Sequence, residues 1–154
     1  MRVQLWSCNY APEPMGIAPL SAAWAREMVD RGHEVDVVAA HPHCPQPDWG
    51  TKLLPYRDVH KGVPVTRLTL IIGRKRKSQR LVQELSYMAA QTAPLPFLGT
   101  PDLLVSVTPS FPALLPGLMN SRFRRIPWIL WVQDILPDGA ATTGYVERGG
   151  ITYR

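Results

Sequence analysis

Residues 3–40 read VQLWSCNYAPEPMGIAPLSAAWAREMVDRGHEVDVVAA, and this stretch decides the fold class. It begins with a short apolar run, which predicts a buried strand that ends in the turn residues Asn9 to Pro12. Apolar residues at helical spacing then predict a helix from Leu20 to Arg31, which Gly32 ends. Glu34 to Ala40 predicts a second strand. A strand, a helix and a strand in such close succession form a βαβ unit, which requires parallel strand pairing.

The remaining sequence continues the alternation of apolar strands and amphipathic helices. Further strands are predicted at 63–72, 102–108 and 126–133, and further helices at 78–92 and 112–120. The fold class is therefore predicted to be α/β, with a Rossmann-like, open and mostly parallel sheet and helices on both faces. Ligands of such sheets bind outside the carboxyl ends of the strands, where we expect loops 9–19, 41–49 and 133–144. The alternative is that these loops only connect the elements.

Length and composition exclude several classes of protein. At 154 residues, of which 45% are hydrophobic and 19% charged, the chain can form one domain with a real core, which excludes wholesale disorder. It contains no apolar run of about 18 residues and no signal-peptide pattern, so neither a membrane span nor secretion is expected. Cys8 and Cys44 are too few for a disulfide framework and fit a reducing cytoplasm. The net charge of +5 favours an anionic partner, such as a nucleic acid, a phosphorylated small molecule or an anionic lipid.

The loop after the first strand contains the first candidate site residue. Gly16 stands before the predicted helix, where a glycine lets the backbone approach a phosphate and the helix N-terminus offers a positive dipole. The chain has neither a GxGxxG motif nor a Walker motif, which lowers the support for nicotinamide cofactors and P-loop chemistry. His41, His43 and Cys44 follow the second strand, but zinc requires three or four ligands and this cluster has no clear partner. We therefore expect no metal, and expect these histidines to line the cleft or to cap the strand end.

A run of basic residues accompanies the start of the helix predicted at 78–92. The run consists of Arg74, Lys75, Arg76, Lys77 and Arg80. It either forms a solvated loop or attracts the chain to an anionic membrane surface, together with the apolar helix face of Leu81, Leu85 and Met88. No aromatic residue is interleaved with the run, so nucleic-acid binding is not expected.

Asp134 follows the apolar strand predicted at 126–133, which is expected to be buried on both faces. A carboxylate at the end of a strand can accept a hydrogen bond from a sugar hydroxyl or act on a proton. The alternative is that Asp134 caps the turn or helix that follows it. The residues by themselves leave both roles open.

Seven short motifs occur in a fixed order along the chain. They are NYAPEPMGIAP at 9–19, RGHEVDVV at 31–38, PH at 42–43, GVPV at 62–65, QELS at 83–86, PDLLV at 101–105 and WVQD at 131–134. In order and spacing they resemble the N-terminal domain of the retaining family-four glycosyltransferases, most closely the WcaI-type transferases of colanic acid and exopolysaccharide synthesis. The likeness covers nearly the whole chain, and the shared order of the motifs is what makes it specific.

That family has the GT-B fold, in which two Rossmann-like domains face each other across a cleft. The resemblance implies that residues 1–154 form the N-terminal, acceptor-side domain, and that the C-terminal donor-binding domain is absent. The implied function is transfer of a sugar from a nucleotide-sugar to a saccharide or polyprenyl-linked acceptor in surface polysaccharide synthesis. The chain alone is expected to be inactive. A non-catalytic Rossmann-type module that binds a nucleotide or a protein is the alternative.

The resemblance also implies roles for individual residues. Asp134 is implied to be catalytic, Gly16 to lie at the donor phosphate, and Glu13 and His43 to bind the acceptor. Ala18 stands where many relatives have a second glycine. No cofactor or metal is implied, because GT-B enzymes generally need none. We expect a cytoplasmic protein that can lie at the inner face of the membrane, and we expect the uncovered cleft face to favour self-association.

Overall fold

Strands and helices alternate along the part of the chain that the computed structural model describes, namely residues 1–45, 54–73, 77–93, 98–108, 110 and 112–133. The strands are β1 (Arg2–Ser7), β2 (Glu34–Ala40), β3 (Tyr56–His60), β4 (Val63–Leu68), β5 (Leu103–Val107) and β6 (Trp128–Trp131). The helices are α1 (Ala18–Asp30), α2 (Lys77–Thr92) and α3 (Leu114–Arg124). The five strands and three helices predicted above are present, β2 with the predicted bounds and the others with shifted ends.

The strands form one sheet in the order β3-β4-β2-β1-β5-β6. Neighbouring strands pair in parallel, except that β3 runs antiparallel to β4. The chain order runs one way from β1 through β2 to β4 and the other way from β1 through β5 to β6, as in a Rossmann-like sheet. The predicted α/β class and the mostly parallel sheet are therefore confirmed.

Alternate side chains of the central strands face two separate helical layers. Leu5 of β1 lies opposite Val37 and Val105 and packs in the core beneath α1. The next residue, Trp6, points to the other face and packs with Tyr87 of α2. Helices therefore cover both faces of the sheet, as predicted.

Helix α1 ends where the sequence predicts, and its apolar residues Trp24, Met28 and Val29 pack against the core. Gly32 has a φ of +84° and closes the last turn with a hydrogen bond from its N–H to Val29 O at 2.9 Å. Leu20, the first apolar residue of the predicted helix, is 56% exposed. Ser21 and Ala25 are fully buried instead, because small side chains let α1 approach the sheet closely.

Strand β3 lies outside the strands predicted from apolar runs, because half-buried and exposed residues alternate along it at the edge of the sheet. It joins β4 through Lys61 and Gly62, whose φ angles are 49° and 82°. Positive φ at both central positions is typical of a type I′ hairpin turn. The Lys-Gly pair between two strand-like segments is the sequence signal for this hairpin.

Strand β6 carries exposed side chains on both of its faces, so the prediction that it is buried on both faces is wrong. It pairs with β5, and no other strand in the described ranges pairs with it. Ile129 and Leu130 are 51% and 38% exposed. An apolar run shows that a strand has a core-facing side, but it does not show how many neighbouring strands it has.

Gly117 lets α3 approach the sheet closely. A Cβ at this position would lie 2.7 Å from Ser106 Oγ, which accepts a hydrogen bond from Trp128 Nε1 at 3.0 Å. Alanine is the better helix former by about 1 kcal/mol, but overpacking a core costs about 1–3 kcal/mol. We expect Gly117→Ala to lower the free energy of unfolding in a denaturant titration. The loss should be smaller in a Ser106→Ala background, and an equal loss in both backgrounds would contradict this contact.

Candidate functional site

Two loops that the sequence predicts at the site lie side by side at the carboxyl edge of the sheet. They are the β1–α1 loop (residues 8–17) and the described part of the segment after β2 (residues 41–45). Main-chain bonds join them to their neighbours: Ala40 N–H donates to Cys8 O at 3.1 Å, and His41 N–H donates to Leu68 O at 2.9 Å. Strand order reverses at β1, and open α/β sheets bind ligands beside such a point.

Glu13 links the two segments through its carboxylate. Its Oε1 accepts hydrogen bonds from the main-chain N–H groups of His43 at 2.6 Å and Cys44 at 2.8 Å. Its Oε2 accepts a hydrogen bond from Asn9 Nδ2 at 2.8 Å. The side chain is only 1% exposed, so these bonds replace the water that a carboxylate otherwise requires. Glu13 therefore fixes the β1–α1 loop against the segment after β2.

The imidazole of His43 completes this cluster. Its Nδ1 lies 2.9 Å from His41 O and 3.2 Å from Glu13 Oε1. Because both of these oxygens accept hydrogen bonds, the network assigns a proton to Nδ1. Nε2 lies 3.4 Å from Asn9 Nδ2, which can donate to it. Glu13 and His43 thus lie together, but both side chains are buried, and direct binding of an acceptor by them stays a prediction.

A buried arginine of β4 supports the same two segments. The Arg67 guanidinium donates to the main-chain oxygens of Ala11, in the β1–α1 loop, and Ala40, at the end of β2. It also lies 3.4 Å from Asp58 Oδ2 on β3. Arg67 is completely buried, and a buried charge requires such partners. The loop is therefore held to the edge hairpin as well as to the segment after β2.

Sequence reasoning did not single out Arg67, although the strand pattern contains a signal for it. Arg67 is in phase with Val63 and Val65, which are both buried. A charged residue on the inward phase of a strand is rare unless it has partners. That phase is what marks Arg67 as part of the site's support.

Tyr10 packs beside this arginine. The centroid of its ring lies 5.7 Å from Arg67 Cζ, and the residue is fully buried. Burial raises the pKa of Tyr10 to about 12, and the nearby positive charge of Arg67 opposes part of that rise. Among the described residues, Tyr10 Oη has no hydrogen-bond partner. The neutral phenol is therefore the form that the folded protein favours.

Gly16 lies in the loop immediately before α1. Its φ of +63° favours glycine, and a Cβ placed there would have no neighbour within 4 Å. The backbone conformation, rather than crowding, thus explains this glycine. In α1, which is described throughout, the N-cap residue Ile17 makes no side-chain cap and the first turn contains no acidic residue. Pro19 in the first turn has no N–H, so the end of α1 offers the remaining main-chain N–H groups and the positive end of the helix dipole.

A groove of about 560 Å³ runs between the β1–α1 loop, α1 and the β3–β4 turn. Pro12 and Glu13 line it on the loop side, Ala22 and Ala23 on the helix side, and His60 on the hairpin side. Its volume lies within the range of small-molecule sites, about 300–1,000 Å³. The groove connects the surroundings of Glu13 with the surface.

The carboxyl ends of β5 and β6 meet at the same edge of the sheet. Thr108 Oγ1 accepts a hydrogen bond from Gln133 N–H at 2.9 Å, and Thr108 N–H donates to Trp131 O at 3.1 Å. Gln133 directly precedes Asp134 in the sequence. Asp134 lies outside the described residues, so its catalytic role stays a prediction. The membrane-surface role of the basic run also stays a prediction, because its residues or their side chains lie outside the described part of the chain. The run consists of Arg74, Lys75, Arg76, Lys77 and Arg80.

Metal-ligating side chains do not converge in the described residues, where no group of three or more could share one ion. None of the helices in these ranges combines the length and the apolar character that a membrane crossing needs. Cys8 and Cys44 are not part of a disulfide, and Cys44 Sγ lies 3.4 Å from Met15 Sδ.

Comparison with known proteins adds a family and a fold. Residues 15–150 match the family model described as "Glycosyl transferase 4-like domain". The chain is 24% identical to an Escherichia coli K12 protein named as a candidate colanic acid biosynthesis glycosyl transferase, WcaI, over 97% of this chain and 38% of that protein. The catalytic domain of starch synthase IV from Arabidopsis thaliana, solved with ADP and acarbose, aligns with a TM-score of 0.58 at 14% identity. That alignment covers 87% of this chain and 34% of the other.

These coverages mean that the chain spans little more than a third of the length of either relative. The structural likeness shows the fold, which is one Rossmann-like half of a GT-B protein. The predicted half-GT-B architecture is therefore confirmed.

The carboxylate of Glu13 can be tested with an isosteric amide. In Glu13→Gln, Oε1 can still accept from the N–H groups of His43 and Cys44, but the new amide nitrogen faces Asn9 Nδ2, and two donors cannot bond. We expect the free energy of unfolding to fall by about 1–3 kcal/mol in a urea titration. Asn9→Asp in the same background restores an acceptor and should recover part of the loss. No loss in the single variant would contradict the network.

Burial of Tyr10 predicts a loss of stability at alkaline pH. The pKa of its phenol is about 12 in the folded protein, against an ordinary value of 10.0. The stability that this difference contributes is therefore complete below pH 10 and is lost as pH rises towards 12. Melting temperatures measured across this interval should fall less steeply for Tyr10→Phe, which keeps the ring and removes the ionisable group. Identical slopes for the two proteins would show that Tyr10 is not the group responsible.

Proposed function

Because the chain belongs to the family of glycosyl transferase 4-like domains, we propose that it is the acceptor-side part of a retaining glycosyltransferase. The complete enzyme moves a sugar from a nucleotide-sugar to a saccharide or polyprenyl-linked acceptor in the synthesis of a surface polysaccharide. The family match over residues 15–150 is the observation that carries this proposal. The name of the Escherichia coli relative supports the pathway, and the ADP in the starch synthase structure supports a nucleotide-linked donor.

In this proposal the β1–α1 loop faces the donor. Gly16 and the open N-terminus of α1 direct main-chain N–H groups and positive dipole towards the donor phosphates. Glu13 and Arg67 hold this loop from two sides, so that it does not have to be ordered when the donor binds. The family resemblance implies further phosphate contacts in a second, donor-binding domain, and we therefore propose that the chain alone does not transfer sugar.

The acceptor side of the proposed site is the region around Glu13 and His43. Because both side chains are buried, they act on the acceptor through the backbone that they position, and the groove beside Glu13 provides space for it. We assign to Asp134 the contact with the reacting sugar. No metal is required in this scheme, and we place the reaction in the cytoplasm, which fits two cysteines, Cys8 and Cys44, that are not part of a disulfide.

Turnover of the natural polypeptide that contains this chain tests the proposal. We expect nucleotide release from one member of a panel of nucleotide-sugars when an acceptor extract is present, and none from residues 1–154 alone. Asp134→Asn should lower turnover more than about tenfold, or about 1.4 kcal/mol of transition-state stabilisation, without changing the melting temperature.

The matched control is Asp102→Asn. Asp102 directly precedes β5 at the amino edge of the sheet, where its Oδ2 accepts a hydrogen bond from Arg2 N–H. This variant should keep near-full turnover. Near-full turnover of Asp134→Asn would instead show a capping aspartate, since asparagine caps a helix about as well. Nucleotide binding without transfer to any acceptor would favour the alternative of a binding module.

A further inference from the structure

The helices on the two faces of the sheet differ in how many large apolar side chains they expose. On α1, one large apolar side chain is strongly exposed, that of Leu20. The opposite layer, formed by α2 and α3, exposes seven such side chains. They are Leu81, Val82, Leu85, Leu115, Leu118, Met119 and Phe123. Phe123 is 82% exposed, and a soluble surface rarely concentrates apolar groups in this way without a use for them.

The apolar side chains of helix α2 are exposed because of the way this helix packs, and not because its end is frayed. Its inner side carries Tyr87, which packs in the core with Trp6, and Gln83, which is 7% exposed and whose Oε1 accepts a hydrogen bond from Gly73 N–H, after β4, at 3.0 Å. Ser86 Oγ accepts from Ile71 N–H at 2.9 Å. The packing of Tyr87 and these polar contacts together hold α2 with the side chains of Leu81, Val82 and Leu85 outward. The predicted apolar stripe of this helix exists, but it faces away from the core.

The same layer is also the more basic one. The sequences of α2 and α3 contain four basic residues and one acidic residue, which already binds Ser110 Oγ. The sequence of α1 contains one basic and two acidic residues. The four basic residues are Lys77, Arg80, Arg122 and Arg124. Apolar groups flanked by positive charge are typical of helices that lie in the interface of an anionic membrane.

We propose that the outer side of the α2–α3 layer docks on a lipid surface that carries anionic headgroups. A bilayer fits this layer because it accepts dispersed apolar side chains without a shaped pocket, while its negative charge matches the basic residues. In this orientation α1 lies on the side of the protein away from the membrane, and the carboxyl edge of the sheet faces sideways, along the membrane surface. The proposal rests on the exposed apolar side chains of α2 and α3 and on the basic residues in their sequences, and it does not depend on the proposed sugar transfer.

Vesicle sedimentation with the natural polypeptide tests the proposal. Vesicles of phosphatidylcholine mixed with phosphatidylglycerol should bind the protein at least about tenfold more tightly than phosphatidylcholine alone, and added salt should reduce this binding. The double variant Leu85→Ser with Phe123→Ser removes two exposed apolar groups and should lose about tenfold in affinity. Arg122→Gln should weaken binding to the anionic vesicles only.

The matched controls lie on the opposite layer and change the same chemistry. Leu20→Ser removes an exposed apolar group of α1, and Arg31→Gln removes a charge at its end, where the side chain is 68% exposed. Both variants should bind like the wild type, and all variants should melt at similar temperatures. Equal binding to both kinds of vesicle, or equal losses on the two layers, would overturn the proposal. The proposal would also be overturned if the protein formed an oligomer that the double variant dissociates while its vesicle binding stays unchanged. The layer would then be an interface between copies of the chain.

Discussion

A buried carboxylate has to be hydrogen-bonded on both oxygens, and at Glu13 this requirement organises the carboxyl edge of the sheet. The donors come from both sides: Asn9 from the same loop, and the main chain of His43 and Cys44 from the segment after β2. Neither segment contains regular secondary structure at this point. The hydrogen bonds of the Glu13 carboxylate therefore hold the two segments together, as strand pairing does elsewhere in the sheet. The position of Gly16, three residues further along, follows from where Glu13 is held.

Arg67 extends this order to the other side of the loop. Its guanidinium binds the carbonyl groups of Ala11 and Ala40 and approaches Asp58, so that the β3–β4 hairpin, β2 and the β1–α1 loop meet at one buried cation. A positive and a negative group, both buried, thus hold the same loop through different atoms. Preorganisation of this kind suits a loop that has to present main-chain groups to a charged ligand without reordering.

The sequence predicts the fold well and the site only in part, for physical reasons. Apolar runs and a glycine stop signal specify β1, α1 and β2, because strand and helix periodicities are local properties. The orientation of α2 could not be predicted, since its amphipathic stripe is compatible with either side, and buried polar contacts such as that of Gln83 decide the outcome. The contact of Glu13 with Cys44 joins residues that are 31 positions apart, and no local pattern encodes it. Family resemblance, by contrast, placed Glu13 and His43 in one region because it draws on the whole order of motifs.

We propose that the nucleotide-sugar contacts this domain at the carboxyl edge of the sheet, around the β1–α1 loop. Hydrogen–deuterium exchange on the natural polypeptide tests this most directly, with and without the nucleotide-sugar that supports turnover. We expect added donor to slow exchange in residues 9–18, with a smaller effect in residues 41–45, where the amides of His43 and Cys44 already bind Glu13. Slowed exchange elsewhere in the protein, with residues 9–18 unchanged, would contradict it.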